Sequence, residues 1–171
     1  MRQSFVTRCL YVVILGGILF LPVATAQAQV AAKTTAQLAR EADVVAVGHV
    51  SSMISEWNDT RTSIRTRVTI AVSEFVKGGE PGSSLTLYVP GGEVGTVGEL
   101  YSDMPVFHRD EDVVVFAQRT PQGAFRVAGG SLGKYSVTRD AATGREVVSN
   151  RLSLNDFAAQ IRAALQAGPS K

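Results

Sequence analysis

Between Arg61 and Lys77 the chain alternates. Ile64, Thr66, Val68, Ile70, Val72 and Val76 stand at every second position, with Arg65, Arg67, Thr69 and Ser73 between them. Side chains of a strand point to opposite faces with a period of two, so this pattern specifies a long strand with one face buried and one in water. Such a strand cannot bury its apolar face alone and requires a sheet around it. Glu74 and Phe75 invert the pattern near the end, as the extra residue of a β-bulge would. Asn58-Asp59-Thr60 before the run and Lys77-Gly78-Gly79-Glu80-Pro81-Gly82 after it have turn composition.

The flanking segments extend the same reading. Thr34–Asp43 (TTAQLAREAD) has the composition of a short helix with Thr34 or Thr35 as its cap and Leu38 facing inward. Val44–Ile54 is β-branched, with Gly48 marking a bulge or sharp coil. Leu85, Leu87 and Val89 alternate again, whereas Pro90 to Asp112 has no clear period. Val113–Ala117 is continuously apolar, as in a strand covered on both faces. Shorter strands are expected at Phe125–Ala128, Lys134–Arg139 and Glu146–Ser149, separated by turns at Thr120–Gly123 and Asp140–Gly144. Ser153 then caps a helix carrying Phe157, Ile161 and Leu165 at i+4 spacing, which Gly168-Pro169 ends. About seven short strands and two terminal helices predict a mainly β, antiparallel barrel with the helices packed outside. A five-stranded Greek-key barrel of the OB type, spanning 34–167 as a single domain, fits that order.

Ahead of this domain, Met1–Ala28 has the zones of a secretory signal peptide. Arg2 and Arg8 form the positive end, Leu10–Leu21 is an apolar stretch of twelve residues, and Ala24-Thr25-Ala26 and Ala26-Gln27-Ala28 are cleavage frames. The stretch is short for a bilayer span, which needs about 20 residues. Export to the periplasm or the medium is expected, with no membrane span after cleavage. Cys9, the only cysteine, precedes the apolar stretch, so a mature chain would carry no thiol. Disulfides, cysteine-ligated zinc and a cysteine nucleophile are then excluded together. Beyond Arg8 the chain has 15 basic and 15 acidic residues. That balance lacks the cationic excess a nucleic-acid binder uses to displace counterions.

Candidate chemistry is sparse. Gly129-Gly130-Ser131-Leu132-Gly133 matches G-x-S-x-G, but a β-like segment follows it, and neither histidine, His49 or His108, comes later in the chain. We read it as a glycine-rich turn. It is not a phosphate-binding loop either: Gly129 and Gly133-Lys134 are one residue too close, and Tyr135 stands where Ser or Thr would be required. His108-Arg109-Asp110-Glu111-Asp112 groups metal-type ligands, yet EF-hand spacing is missing and Arg109 opposes a cation. It reads as a solvated turn. His49 reads as a structural histidine within a strand. Asn58-Asp59-Thr60 matches the glycosylation sequon, which means little if the chain is a bacterial exported protein, the class that an exported domain without disulfides fits best. Trp57, the single tryptophan, reads as a barrel-end plug or a contact residue.

The run Ala42-Asp43-Val44-Val45-Ala46-Val47-Gly48-His49-Val50, the strand Val68–Phe75 and the turn Val76-Lys77-Gly78 resemble the opening of tissue inhibitors of metalloproteinases and related netrin-type modules. Asp112–Ala117 resembles their later central strand, and Leu152–Leu165 their C-terminal helix. The chain also resembles a group of uncharacterised exported bacterial proteins with a Gly-Gly loop after the third strand, here Gly91-Gly92. The resemblance covers Leu38 to Leu165 and implies the OB-like barrel. Those inhibitors use an N-terminal cysteine to chelate the protease zinc, and a mature form of this chain has none, so that wedge does not carry over.

These features lead us to expect a non-enzymatic exported domain that binds a protein or other macromolecule through loops at one end of the barrel, with no cofactor or metal. Trp57, Gly91, Gly92, Tyr101, Met104, Phe107 and His108 are the candidate contacts. Pro90–Asp112 supplies most of them, with more apolar area than a connection requires. An inhibitor or accessory partner of an exported metalloprotease is the alternative, and a serine hydrolase a further one.

Overall fold

Two stretches buried on both faces organise the chain: the first half of strand Val44–Trp57 (β1) and the middle of strand Asp112–Arg119 (β6). They pair antiparallel from Val44↔Ala117 to His49↔Asp112. Alternation sends Val44, Ala46, Val50, Val113, Val115 and Ala117 into one apolar cluster. Val45, Val47, Val114 and Phe116 enter the other. The first cluster fills a barrel and the second lies under two helices, so the continuous apolar run in β6 follows from burial on both sides. The computed structural model describes residues 33–167. The leader-like segment, the residues joining it to Lys33 and the Gly168-Pro169 stop lie outside them.

The barrel closes with five strands. Ile64–Lys77 (β2) pairs with β1, Ser84–Pro90 (β3) with β2, and Phe125–Val127 (β7) with β6, while β1 returns to β6. Every ladder is antiparallel except the seam, where β3 meets β7 in parallel at Leu87↔Phe125. This is the OB-like arrangement. Lys134–Arg139 (β8) and Glu146–Val148 (β9) extend the sheet beyond β6. Gly92–Val94 (β4) and Val97–Glu99 (β5) form a separate hairpin, which brings the strands to nine among the described residues. Helix α1 (Thr35–Glu41) and helix α2 (Leu154–Gln166) pack outside. No helix among the described residues is long and apolar enough to cross a membrane.

Local signals explain the element ends. Thr34 and Gln37 form a reciprocal capping box on α1. Lys77 Nζ closes the other end of α1, donating to the carbonyls of Ala39 at 2.9 Å, Arg40 at 3.0 Å, and Ala42. A cation there also meets the negative end of the helix dipole. Ser153 Oγ accepts from the Asp156 N–H at 3.1 Å and donates to its carboxylate at 2.6 Å, so aspartate serves at the third helical position. Phe157 and Ile161 of α2 then enter the second cluster, where Phe116, Tyr135 and Phe157 pack with ring centroids 4.7 to 6.5 Å apart.

The inversion at Glu74-Phe75 has a register cause. Val47 pairs with Glu74 but Gly48 with Val72, and Val45 pairs with Lys77 but Ala46 with Phe75, leaving Ser73 and Val76 as extra residues on β2. These bulges coil the hairpin around the barrel, turning Phe75 toward its interior cluster and Val76 toward the helix side. Gly48 sits where the β2 backbone passes close against β1. A Cβ there would lie 2.4 Å from the Ala71 carbonyl oxygen and 2.9 Å from Val72 Cα.

Gly48→Ala is therefore expected to cost about 1–3 kcal/mol by overpacking against backbone. Gly98→Ala, whose nearest new neighbour would be 3.9 Å away, should cost well under that in the same urea titration. Lys77→Met is expected to lose about 1–2 kcal/mol by leaving the α1 carbonyls without their donor. An unchanged denaturation midpoint would refute that capping role.

Candidate functional site

The Pro90–Asp112 segment, which lacked a period, closes one end of the barrel. Its first part is the β4–β5 hairpin, paired Gly92↔Glu99, Glu93↔Gly98 and Val94↔Val97. Strands of three residues are too short to show a period. The available signal was Gly95-Thr96 between two valines, with Gly95 at φ 63° in a two-residue loop.

Gly91 and Gly92 seat this hairpin. The Gly91 N–H donates to the Ile64 carbonyl at 2.9 Å, and Thr66 Oγ1 donates to the Gly91 carbonyl at 2.7 Å. Gly92, at φ 130°, faces the Ser55 and Thr66 hydroxyls so closely that a Cβ would lie 2.4 Å from each. A side chain there would have to displace the Ser55 and Thr66 hydroxyls, at a backbone conformation that L side chains rarely adopt. At the far strand Glu99 accepts the Ile64 N–H at 3.0 Å and the Tyr101 hydroxyl at 3.2 Å. The Glu99 carboxylate beside Tyr101 holds the phenol above its ordinary pKa.

Around this seat is an apolar cavity of about 200 Å³. Met53, Val68, Val89, Pro90, Met104 and Phe107 form much of its wall. Leu100 is 90 % exposed, Tyr101 44 % and Val106 59 %, and these three form the rim. Gly91, Gly92, Tyr101, Met104 and Phe107 thus come together. Their roles differ from a uniform contact surface: the glycines seat the hairpin, and Phe107 is buried in the barrel's own core. Leu100 and Val106, which sequence reading passed over, are the more exposed side chains.

The other two candidates lie elsewhere. Trp57 ends β1, half-buried and paired with Ile64, and it joins neither core cluster. β1 has no β6 neighbour past His49, so its last residues run beyond the interior, and Phe107 rather than Trp57 plugs the barrel. His108 is exposed and does not line the cavity. Its backbone N–H donates to Glu111 Oε2 at 3.1 Å.

Glu111 departs from the solvated turn expected for His108–Asp112. Its side chain is 14 % exposed and pairs with Lys134, 10 % exposed, at 2.5 Å. Ser136 Oγ donates to the same carboxylate oxygen at 2.5 Å, and Lys134 Nζ also donates to the Val106 carbonyl at 2.9 Å. Lys134 Nζ lies 5.4 Å from the Phe107 ring centroid. Burial pushes the Glu111 pKa up, but the donors from Lys134, Ser136 and the His108 N–H outweigh it, and the carboxyl ends below its ordinary value. Nothing local in sequence announces a pair 23 residues apart.

His49 bridges the same turn. Its Nδ1 lies 3.0 Å from Asp112 and its Nε2 3.5 Å from Asp110. The Asp112 hydrogen bond raises its pKa, burial opposes, and Asp110 adds to the rise. Both ring nitrogens therefore face carboxylates, which suits an imidazolium better than a metal ligand. No group of three or more His, Cys, Asp or Glu placed to hold a metal occurs among the described residues. Ser131 lies in a single 3-10 turn, Gly130–Gly133, leading into β8, with its N–H on the Asp103 carbonyl at 2.9 Å. That is a turn between strands, not the strand-to-helix elbow of a hydrolase nucleophile.

Removing one member of the Glu111–Lys134 pair leaves the other half-buried and without its counter-charge. Lys134→Met or Glu111→Gln is expected to cost about 1–2 kcal/mol, below the roughly 3–5 kcal/mol of a fully buried pair because both side chains retain some water. The double change to leucines should cost less than the sum, read by a double-mutant cycle. Because the folded pKa of Glu111 is depressed, its contribution is complete above the unfolded value near 4.5 and is lost as pH falls through the folded pKa. Glu111→Gln should accordingly flatten the fall in melting temperature below pH 4.5. Compared with known proteins, this chain matches no protein-family model and no curated protein.

Proposed function

We propose that this chain is an exported, non-enzymatic binding domain that recognises a protein or other macromolecule through the loops at one end of its barrel. The observation that carries this reading is the exposure of Leu100, Tyr101 and Val106 around an apolar cavity. Contiguous apolar surface in water costs free energy, and in folded proteins it marks contact sites. Its backbone is held by the Gly91, Thr66 and Glu99 hydrogen bonds and by the Lys134–Glu111 pair, so little ordering entropy opposes binding.

Export is supported by the leader-like Met1–Ala28. Kinship with the netrin-type modules belongs to the same proposal. Its support is the order of helix, long hairpin and C-terminal capped helix, together with a mechanical role for the Lys77-Gly78 turn at the end of α1.

The test is capture from exported fractions with a C-terminal tag, comparing the natural chain with a Leu100→Asp/Val106→Asp variant by mass spectrometry. At least one association, an untagged copy of the chain included, is expected to disappear in the variant at unchanged circular dichroism. Identical sets from both proteins, or an empty set from the natural one, would overturn the reading.

A further inference from the structure

We propose that His49 is a proton-operated latch at the mouth of the barrel: charged, it holds the turn that follows the Phe107 plug against β1, and neutral, it lets that turn go. His49 Nδ1 lies 3.0 Å from the Asp112 carboxylate and Nε2 lies 3.5 Å from that of Asp110. An imidazolium donates from both ring nitrogens and so serves both carboxylates. A neutral ring carries a single N–H, which leaves a lone pair opposite one of the two aspartates. Loss of the proton therefore removes one contact outright and the charge from the other. The side chain is 44 % exposed, so it exchanges its proton with bulk water. The latch acts within one chain and does not depend on what the mouth contacts.

Among the described residues, the charges that face the ring are negative. Glu146 of β9 lines the same cleft as His49 and Asp112, while β2, β8 and α2 contribute Ala71, Ser73, Val137 and Leu154, none of which carries charge. Arg109 and Glu111 belong to the same turn but are engaged elsewhere, Arg109 with the Met53 carbonyl at 3.4 Å and Glu111 with Lys134. The hydrogen bond to Asp112 lifts the imidazole pKa above its ordinary 6.5, against burial and with help from Asp110. A group whose folded pKa is raised contributes fully below the unfolded value, here 6.5, and the contribution is lost as pH rises through the folded one. Lys134 keeps its grip on Glu111 across that range, so the release is confined to the Asp110 side of the turn. Asp110 sits at φ 63°, a left-handed conformation that its surroundings must hold in place. Its N–H donates to the Val50 carbonyl at 3.0 Å, one residue from His49, and this is the bond that the latch protects.

Two-dimensional NMR on the exported protein with a histidine-free tag and the His108→Gln change tests this, since His49 is then the only imidazole of the chain. The protection factor of the Asp110 amide, corrected for the intrinsic pH dependence of exchange, should fall about three- to fivefold between about pH 5.5 and 8.5. That is the scale of exposed ion pairs, over the range in which imidazole titrates. With His49→Gln added, protection should be low at every pH in the range. The His49 titration midpoint should lie above 6.5 and return toward it in an Asp110→Asn/Asp112→Asn variant. Asparagine tolerates the left-handed conformation at position 110, so these changes remove charge without adding strain. An Asp110 protection factor that is flat with pH overturns the latch. So does the same fall in the His49→Gln protein, or a His49 midpoint that ignores both asparagines.

Discussion

The antiparallel pair of β1 and β6 is the constraint from which the rest of the molecule follows. Where they pair, from Val44 to His49 and from Asp112 to Ala117, the strands are largely apolar on both faces, so that stretch must be covered twice. One cover is the barrel interior, closed by β2, β3 and β7, and the other is the layer of α1, α2 and the outer strands β8 and β9. Asp43 ties the two covers together at one end. Its N–H donates to the Ala117 carbonyl at 2.8 Å and its carboxylate accepts the Arg119 N–H at 2.7 Å, so the exit of α1 and the end of β6 share one fixed point.

At the opposite end the barrel has to be stopped, and the long connection from β3 to β6 does so with Phe107. A loop that inserts an aromatic ring into a core must bring its backbone with it, and that backbone needs partners. Val50 supplies two: its N–H donates to the Glu111 carbonyl at 2.8 Å, and its carbonyl accepts the Asp110 N–H at 3.0 Å. The Lys134–Glu111 pair and His49 between Asp110 and Asp112 add charge-assisted contacts to the same turn. The plug is thus pinned on its C-terminal side by ion pairs and on its N-terminal side by the Gly91-Gly92 seat. Between these anchors, Leu100, Tyr101 and Val106 are left facing water.

Legibility in the sequence followed the range of the forces involved. The alternation of Ile64–Val76, the continuous run Val113–Ala117 and the caps at Thr34 and Ser153 each express an interaction within a few residues, and all correspond to elements of the fold. The mouth was only half legible. Its apolar excess at Tyr101, Met104 and Phe107 marked the segment, but the hairpin inside it was too short to show a period. Phe107 and Tyr101 looked alike in sequence, although one is core and the other rim. Trp57 stood at the correct strand end and still missed the plug, because how far β1 outruns β6 is a matter of register.

The sequence by itself determined the barrel class, the doubly buried strand, the N-terminal caps of both helices and the position of the unpatterned segment, because periodicity and capping are local free energies written in neighbouring residues. Only the tertiary structure decided that Glu111 turns inward to Lys134, that Gly91 and Gly92 seat a hairpin, and that Leu100 borders a cavity. Each of these depends on which residues the pairing of β6 with β8, and of β2 with β1 and β3, brings opposite one another. That register is set by the whole apolar core at once, and no short stretch of chain encodes it.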